Sequence, residues 1–186
     1  MNAASVVLSL FLAACTHQAA PSGPPLTLTT LDGHAELWQE LLAHSRFTVL
    51  VFVSADCLCV EAHAARLNEL ATHYTPWGVQ FLAVDSEAGT TVSVAATEAS
   101  KYGLQFPLVI DKSAKLANSL GALYATSAVI LDPGGNIHYR GGLDSDIVNL
   151  HDDAKRYVLD ALEDLLAGRE PRLPQAKTLG CVLRKS

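Results

Sequence analysis

Residues 47–53 read Phe-Thr-Val-Leu-Val-Phe-Val, a run in which only Thr48 is polar and most side chains are β-branched or aromatic. A strand with one wet face would alternate apolar and polar residues. This run does not, so both of its faces need cover. That requirement points to a parallel α/β arrangement. The run ends in Ser54-Ala55-Asp56, and Cys57 opens a segment, Asp56 to Tyr74, that reads as a helix with Ala65, Leu67, Leu70 and Ala71 available for its buried side. Reactive groups in such sheets sit at the C-terminal ends of parallel strands, where helices begin. Cys57 is therefore the first candidate functional residue.

The remaining pattern fits around that strand. Leu26–Leu31 alternates Leu and Thr as a strand and turns at Asp32-Gly33, and Ala35–Ala43 reads as an amphipathic helix. Val79–Val84 is a second buried strand. Ser93–Tyr102 is a helix ended by Gly103, and Phe106–Ile110 is a short strand. Ser113–Leu120 is a helix closed by Gly121. Ala128–Leu131 and Ile137–Arg140 flank Asp132-Pro133-Gly134-Gly135-Asn136, a hairpin signal. Asp153–Ala167 is an amphipathic helix capped by Gly168. The expected fold class is α/β, a central mixed β-sheet flanked by helices on both faces. Among the 186 residues 49% are hydrophobic, enough for a real core. The net charge is -6 with no Lys-rich or Arg-rich run, so nucleic acid is not an expected partner.

The N-terminus speaks to compartment. Val6–Ala14 is an apolar run broken only by Ser9, too short to span a bilayer but suited to the apolar region of a secretory signal, although Met1–Ser5 carries no Lys or Arg. It ends in Leu12-Ala13-Ala14-Cys15, which resembles the lipobox of bacterial lipoproteins, in which the Cys takes the lipid. Thr16 follows; by resemblance to lipoprotein sorting, the absence of Asp there favours the outer membrane. Thr16–Pro25, with three Pro and one Gly, reads as a tether. The expected organisation is a signal peptide over 1–14, a lipidated Cys15 and flexible tether over 15–25, a domain over 26–168, and a C-terminal tail over 169–186. Such a chain belongs in a bacterial cell envelope, periplasm-facing and held to the membrane through Cys15.

Four stretches carry a family resemblance. Phe52-Val53-Ser54-Ala55-Asp56-Cys57 resembles the thioredoxin-superfamily entry to its active-site helix. Phe106-Pro107-Leu108-Val109-Ile110-Asp111, Leu116–Gly121, and Val129–Gly141 around Asp132-Pro133-Gly134-Gly135-Asn136 resemble the strand, helix and hairpin of the redoxin and alkyl hydroperoxide reductase branch. The resemblance covers roughly Leu26 to Gly168. It implies a thioredoxin-like fold and a thiol–disulfide oxidoreductase, or a thiol peroxidase-like enzyme, acting on protein or small-molecule thiols and disulfides with no bound organic cofactor. The chain departs from the pattern in places. Val60 stands where Cys-x-x-Cys would put its second Cys, and Thr126 stands near the place of the superfamily's cis-Pro. Ser54 fits the peroxidase pattern, but Leu50 replaces its Pro and no Arg is supplied at Thr126.

Three thiols remain after Cys15. A helix N-terminus stabilises a thiolate, which places Cys57 as the attacking group. Asp56 reads as the helix N-cap, and its charge opposes ionisation of the neighbouring thiol. Cys59 is the near partner. A Cys57–Cys59 bridge closes a very small ring, strained and hence labile. Cys181, on the tail, either swings in to resolve Cys57 or is bonded permanently to Cys57, to Cys59 or to another chain. The alternative chemistry is metal binding: Cys57, Cys59 and His63 form a Cys-x-Cys-x-x-x-His set whose soft ligands suit copper, in a copper-binding or non-enzymatic thioredoxin-fold module. Glu61 lies near enough in sequence to move a proton. Asp144, Asp146, Asp152 and Asp153 form an acidic group read as a solvated loop rather than a cation site.

Overall fold

The computed structural model describes residues 25–185. The signal, lipid-anchor and tether assignments over 1–24, Cys15 among them, lie outside the described residues. A seven-stranded sheet runs in the order β2-β1-β5-β4-β3-β6-β7. Its strands are β1 Thr27–Thr30, β2 Ala35–Leu37, β3 Phe47–Val53, β4 Val79–Asp85, β5 Leu108–Ile110, β6 Ala128–Leu131 and β7 Ile137–Gly141. The helices are α1 Trp38–Ala43, α2 Leu58–Tyr74, α3 Val92–Tyr102, α4 Lys115–Leu120 and α5 Tyr157–Leu166. β3, β4 and β5 are parallel, while β6 pairs antiparallel with β3 and β7 with β6. The sheet is thus mixed, as expected, with β3 an interior strand between β4 and β6. Every β3 residue after Phe47 is buried, which is what the apolar run requires.

Differences from the sequence pattern have local causes. Residues 35–37 form β2 rather than the first turn of a helix, because the turn at Asp32-Gly33 (Gly33 φ 87°) folds them back onto β1 with Thr27 opposite Leu37. Helix α4 is shortened because Ser113 (φ 62°) and Ala114 (φ 50°) adopt left-handed conformations ahead of it. Asp111 then reaches over this kink: its carboxylate accepts from the Leu116 N–H at 3.0 Å and the Ala117 N–H at 2.9 Å, tying off the orphan amides of α4. Helix α5 begins at Tyr157 and not at Asp153. The preceding chain is held as a loop by Asp146, which accepts from the His151 N–H at 2.8 Å, and by the Ser145 N–H donated to the Lys155 carbonyl at 3.0 Å.

The tail is not a swinging arm. Past Gly168 it lies beside β7, with the Ala176 N–H donated to the Arg140 carbonyl at 3.1 Å. It then runs antiparallel to residues 123–125: Val182 bridges Tyr124, the Ala125 N–H donates to the Cys181 carbonyl at 2.8 Å, and the Leu183 N–H donates to the Leu123 carbonyl at 3.0 Å. Gly180 permits the approach, since a Cβ there would collide with the Ala125 carbonyl oxygen. The mobile tail expected from the sequence is corrected on this point: Cys181 is delivered to a fixed place.

Candidate active site

Cys57 sits four residues past the end of β3 and is the N-cap of α2, with extended backbone and a nearly inaccessible side chain (1% exposed). Asp56, expected to cap the helix, lies one residue outside it with φ 60°, a conformation that Asp tolerates better than most residues. Its carboxylate accepts from Lys101 Nζ at 2.8 Å, on the surface. That hydrogen bond holds the Asp56 carboxyl below its usual range. The lysine charge also offsets the field that Asp56 alone would exert on the neighbouring sulfur.

The turn carrying Cys57 is pinned from α3. Tyr102 accepts from the Cys57 N–H at 3.0 Å and donates its own hydroxyl to the Ser54 carbonyl at 2.9 Å. Burial pushes the Tyr102 phenol up, so it remains a neutral donor. Nothing in the sequence singled out Tyr102; its only signal was an aromatic at the end of a helix preceding Gly103. On the other side of the turn, Thr126 (φ 67°) donates its N–H to the Phe52 carbonyl at 2.7 Å and its hydroxyl to the Leu179 carbonyl at 3.0 Å. A proline at that position would offer neither donor. Thr126 therefore joins the end of β3 to the tail.

These contacts bring Cys181 to Cys57, and the two are joined in a disulfide with Cα atoms 6.1 Å apart. The bridge reaches the tail cysteine across 124 residues, not the adjacent Cys59. Cys59 is a free, buried thiol in the first turn of α2. Burial pushes the Cys59 thiol up, against the pull of the Cys59 and Cys181 backbone amides. All three sulfur atoms lie within 4.8 Å of one another. Cys181 is the half-buried member, and the most accessible of the three.

His63 does not join the sulfurs, which corrects its reading as a metal ligand with Cys57 and Cys59. One turn below Cys59, its Nδ1 lies 2.7 Å from the Cys59 carbonyl oxygen and its Nε2 lies 3.1 Å from Asp144 Oδ1. Both neighbours can only accept, so both nitrogens carry a proton and the ring is an imidazolium. Burial opposes that charge, but the Asp144 carboxylate and the Cys59 carbonyl outweigh it and hold the His63 pKa above its ordinary value. Burial likewise opposes the Asp144 charge, while His63, the Asp146 N–H and Arg66 hold its carboxyl below the usual range. Asp144 thus leaves the acidic-loop group and becomes the buried anchor of α2. Asp146 pairs with His151 at 3.1 Å, while Asp152, Asp153 and Glu61 are exposed.

A second acidic pair lies behind the turn. Asp85, at the end of β4, and Glu98, on α3, are both almost fully buried, and Asp85 Oδ2 and both Glu98 oxygens find no donor among the described residues. Asp85 Oδ1 is held by the Glu87 N–H and the Thr90 hydroxyl. Two facing carboxyl groups in that setting retain a proton between them, because both cannot ionise. Burial and the Asp85 charge push the Glu98 carboxyl far above the usual range.

Comparison with known proteins places this geometry. The thiol-disulfide oxidoreductase ResA of Bacillus thuringiensis (strain Al Hakam) is 28% identical over 120 residues, covering 64% of this chain and 67% of that protein. An uncharacterized conserved protein from Geobacillus kaustophilus superposes with a TM-score of 0.76 at 27% identity, over 87% of this chain and 88% of the other. A secreted Mycobacterium tuberculosis disulfide oxidoreductase shares the fold with a TM-score of 0.51 at 22% identity, over 61% of this chain and 80% of the other. The thioredoxin-like architecture and the oxidoreductase class read from the sequence both hold. Residues 19–140, which carry β3, the Cys57 turn and the β6–β7 hairpin, match the AhpC/TSA family, and the chain belongs to that family.

Proposed function

We propose that the protein exchanges thiols and disulfides through a redox couple made of Cys57 and Cys181, with Cys59 as a third thiol outside the couple. The observation that carries this reading is the disulfide itself, formed between a cysteine at a helix N-terminus and one on a docked strand. In the reductive half-reaction the thiolate of an incoming dithiol attacks Cys181 Sγ, the more accessible sulfur. The S–S bond breaks, and its electron pair stays on Cys57 Sγ as a thiolate. The α2 N-terminus stabilises that thiolate, which makes Cys57 the better leaving group. The second thiol of the donor then attacks the mixed disulfide, its own disulfide forms, and Cys181 leaves and takes a proton. One dithiol is oxidised and one disulfide reduced.

The tail also indicates what a substrate looks like. Residues 180–183 lie as an extended segment along residues 123–126 with their cysteine over Cys57. A cysteine-bearing peptide in extended conformation can pair beside this docked segment, next to the exposed Val182, and leave the tail in place. Protein thiols and disulfides are therefore the favoured substrate class over peroxide, for which the site offers no arginine at Thr126. The reading places the protein in the bacterial envelope, tethered through Cys15, where disulfides persist. No helix among the described residues is long and apolar enough to cross a membrane.

The test is stopped-flow exchange of the full chain with a dithiol and with a small disulfide, beside each single Cys→Ser variant. Cys57→Ser and Cys181→Ser should lose turnover, while Cys59→Ser keeps the first exchange step. Full turnover in Cys181→Ser would overturn the couple. For the tether, Cys15→Ser should move the protein from the membrane to the soluble envelope fraction; a variant that still pellets with membranes would refute that part.

A further inference from the structure

The exchange reaction uses two of three sulfurs, and the third is too close to be incidental. Cys57, Cys59 and Cys181 place their Sγ atoms within 4.8 Å of one another, and Cys57 and Cys59 are buried. Among the described residues no other cluster of His, Cys, Asp or Glu converges in this way. We propose that the reduced protein binds one Cu(I) ion through these three thiolates, so that the disulfide acts as a redox gate on a soft-metal site.

Three observations support this. First, the spacing suits one ion. With metal–thiolate bonds of about 2.3 Å, three sulfurs in a plane around an ion stand roughly 4.0 Å apart, inside the observed limit. Opening the S–S bond moves Cys57 and Cys181 apart towards that separation. Second, the third ligand stays in place after reduction. The tail is held by the Ala125–Cys181 and Leu183–Leu123 backbone hydrogen bonds, by Thr126 on Leu179, and by Arg184, whose Nε donates to Glu87 at 2.9 Å. None of these depends on the disulfide. Third, the donor set is all sulfur. His63 is excluded because both ring nitrogens are already committed to the Cys59 carbonyl and Asp144. Soft thiolates select Cu(I) and Zn(II), but a structural zinc site needs four ligands and this one has three.

Binding changes no oxidation state. Cu(I) replaces the protons of the protonated thiols: with Cys57 already a thiolate, two protons, from Cys59 and Cys181, pass to solvent per ion bound, and three S–Cu bonds form. Oxidation of Cys57 and Cys181 to the disulfide by an acceptor disulfide removes two of the three ligands, so the ion is released. The acceptor is reduced to two thiols in that step.

The experiment is an anaerobic titration of the phosphine-reduced full chain with Cu(I) buffered by bicinchoninate, alongside the oxidised chain. X-ray absorption at the copper edge then gives the ligand atoms of the wild-type complex. The expected result is one Cu(I) per reduced chain, three sulfur neighbours and no imidazole, with no comparable binding to the oxidised chain. Each single Cys→Ser variant, checked for folding by circular dichroism, should lose more than the roughly 10–100-fold in affinity that loss of a mere outer-shell partner costs. The proposal is overturned by any of three results: oxidised chain that binds as tightly as reduced, a nitrogen ligand in the absorption spectrum, or undiminished affinity in Cys181→Ser. The sulfur count uses the wild type and needs no variant to fold. Dithiol exchange measured on the same preparation separates the two readings, since an active exchanger that fails to hold Cu(I) sinks only this one.

Discussion

Opening the Cys57–Cys181 bridge should destabilise the fold by an amount that reports which cysteines are joined. The bond spans 124 residues, and in the chain-entropy account a loop of that length restricts the unfolded state by about 5 kcal/mol, while measured losses are more often about 2–4 kcal/mol. For a chain of 186 residues, each kcal/mol moves Tm by roughly 2–4 °C, so the smaller range predicts a fall of about 4–16 °C. A Cys57–Cys59 bridge closes a ring of three residues and restricts the unfolded chain far less. The thermodynamic cycle adds a second readout. Whatever the bridge adds to folding stability, folding adds to the bridge. The native chain should therefore resist a dithiol more than the denatured chain by about 40–90 mV, at about 30 mV per 1.4 kcal/mol. Calorimetric melts of oxidised protein, phosphine-reduced protein, Cys181→Ser and Cys59→Ser measure the first; dithiol titrations with and without denaturant measure the second. Cys59→Ser should keep the full gap between oxidised and reduced forms, and Cys181→Ser should melt with the reduced wild type. Oxidised and reduced wild type melting together, or a gap that vanishes in Cys59→Ser, would refute the Cys57–Cys181 assignment.

Three further predictions follow from packing and charge. Gly180→Ala places a Cβ against the Ala125 carbonyl oxygen and the Thr126 hydroxyl; the tail should lift, and the dithiol concentration that half-reduces the bridge should fall, read by thiol trapping and mass spectrometry. Asp144→Asn removes the partner that keeps His63 charged and should cost about 3 kcal/mol. In the wild type, the His63 contribution is complete below its unfolded pKa of 6.5 and is lost as pH rises through its higher folded value, so urea midpoints should decline across that window and the variant should lack the decline. Glu98, raised from 4.5 to about 8, contributes stability that is full below 4.5 and is lost as pH rises towards 8. Its slope is at most about 1.4 kcal/mol per pH unit, and Glu98→Gln should flatten it; an unchanged slope would mean that Glu98 ionises normally in the fold.

What the sequence shows of this fold follows from which interactions are local. The β3 run, apolar at every position but Thr48, announces a doubly covered strand without help from any other segment, and Gly103 and Gly121 mark helix ends by their own backbone preference. Residues 35–37 carry a helical apolar spacing but form a strand, because their pairing with β1 is set by a turn and a register, neither visible in that spacing. The start of α5 at Tyr157 instead of Asp153 has a related reason: the loop before it is held by the His151 N–H on Asp146 and the Ser145 N–H on the Lys155 carbonyl, contacts that apolar spacing does not show. His63 is legible in its Cys-x-Cys-x-x-x-His spacing with Cys57 and Cys59. Its role is not, because the partner that decides it lies 81 residues away.

The site's departures from the redoxin pattern make sense together and not singly. Val60 removes the thiol that Cys-x-x-Cys would supply, and it is fully buried in α2, where a sulfur could not reach the surface. A partner for Cys57 must then come from another segment, and that segment must be held against the β3 end. Thr126 does this with the two donors a proline lacks, one to Phe52 and one to Leu179. Gly180 supplies the clearance and Cys181 the sulfur. Each residue alone reads as a loss or as nothing: a missing cysteine, a missing proline, a glycine and an isolated cysteine near the end of a tail. Only the antiparallel contact between residues 123–125 and 181–183 makes them one device, and that contact is backbone to backbone. Side-chain pattern carries almost no trace of such pairing, which is why the three thiols can be named from the sequence while the Cys57–Cys181 bond stands there only as one of several pairings.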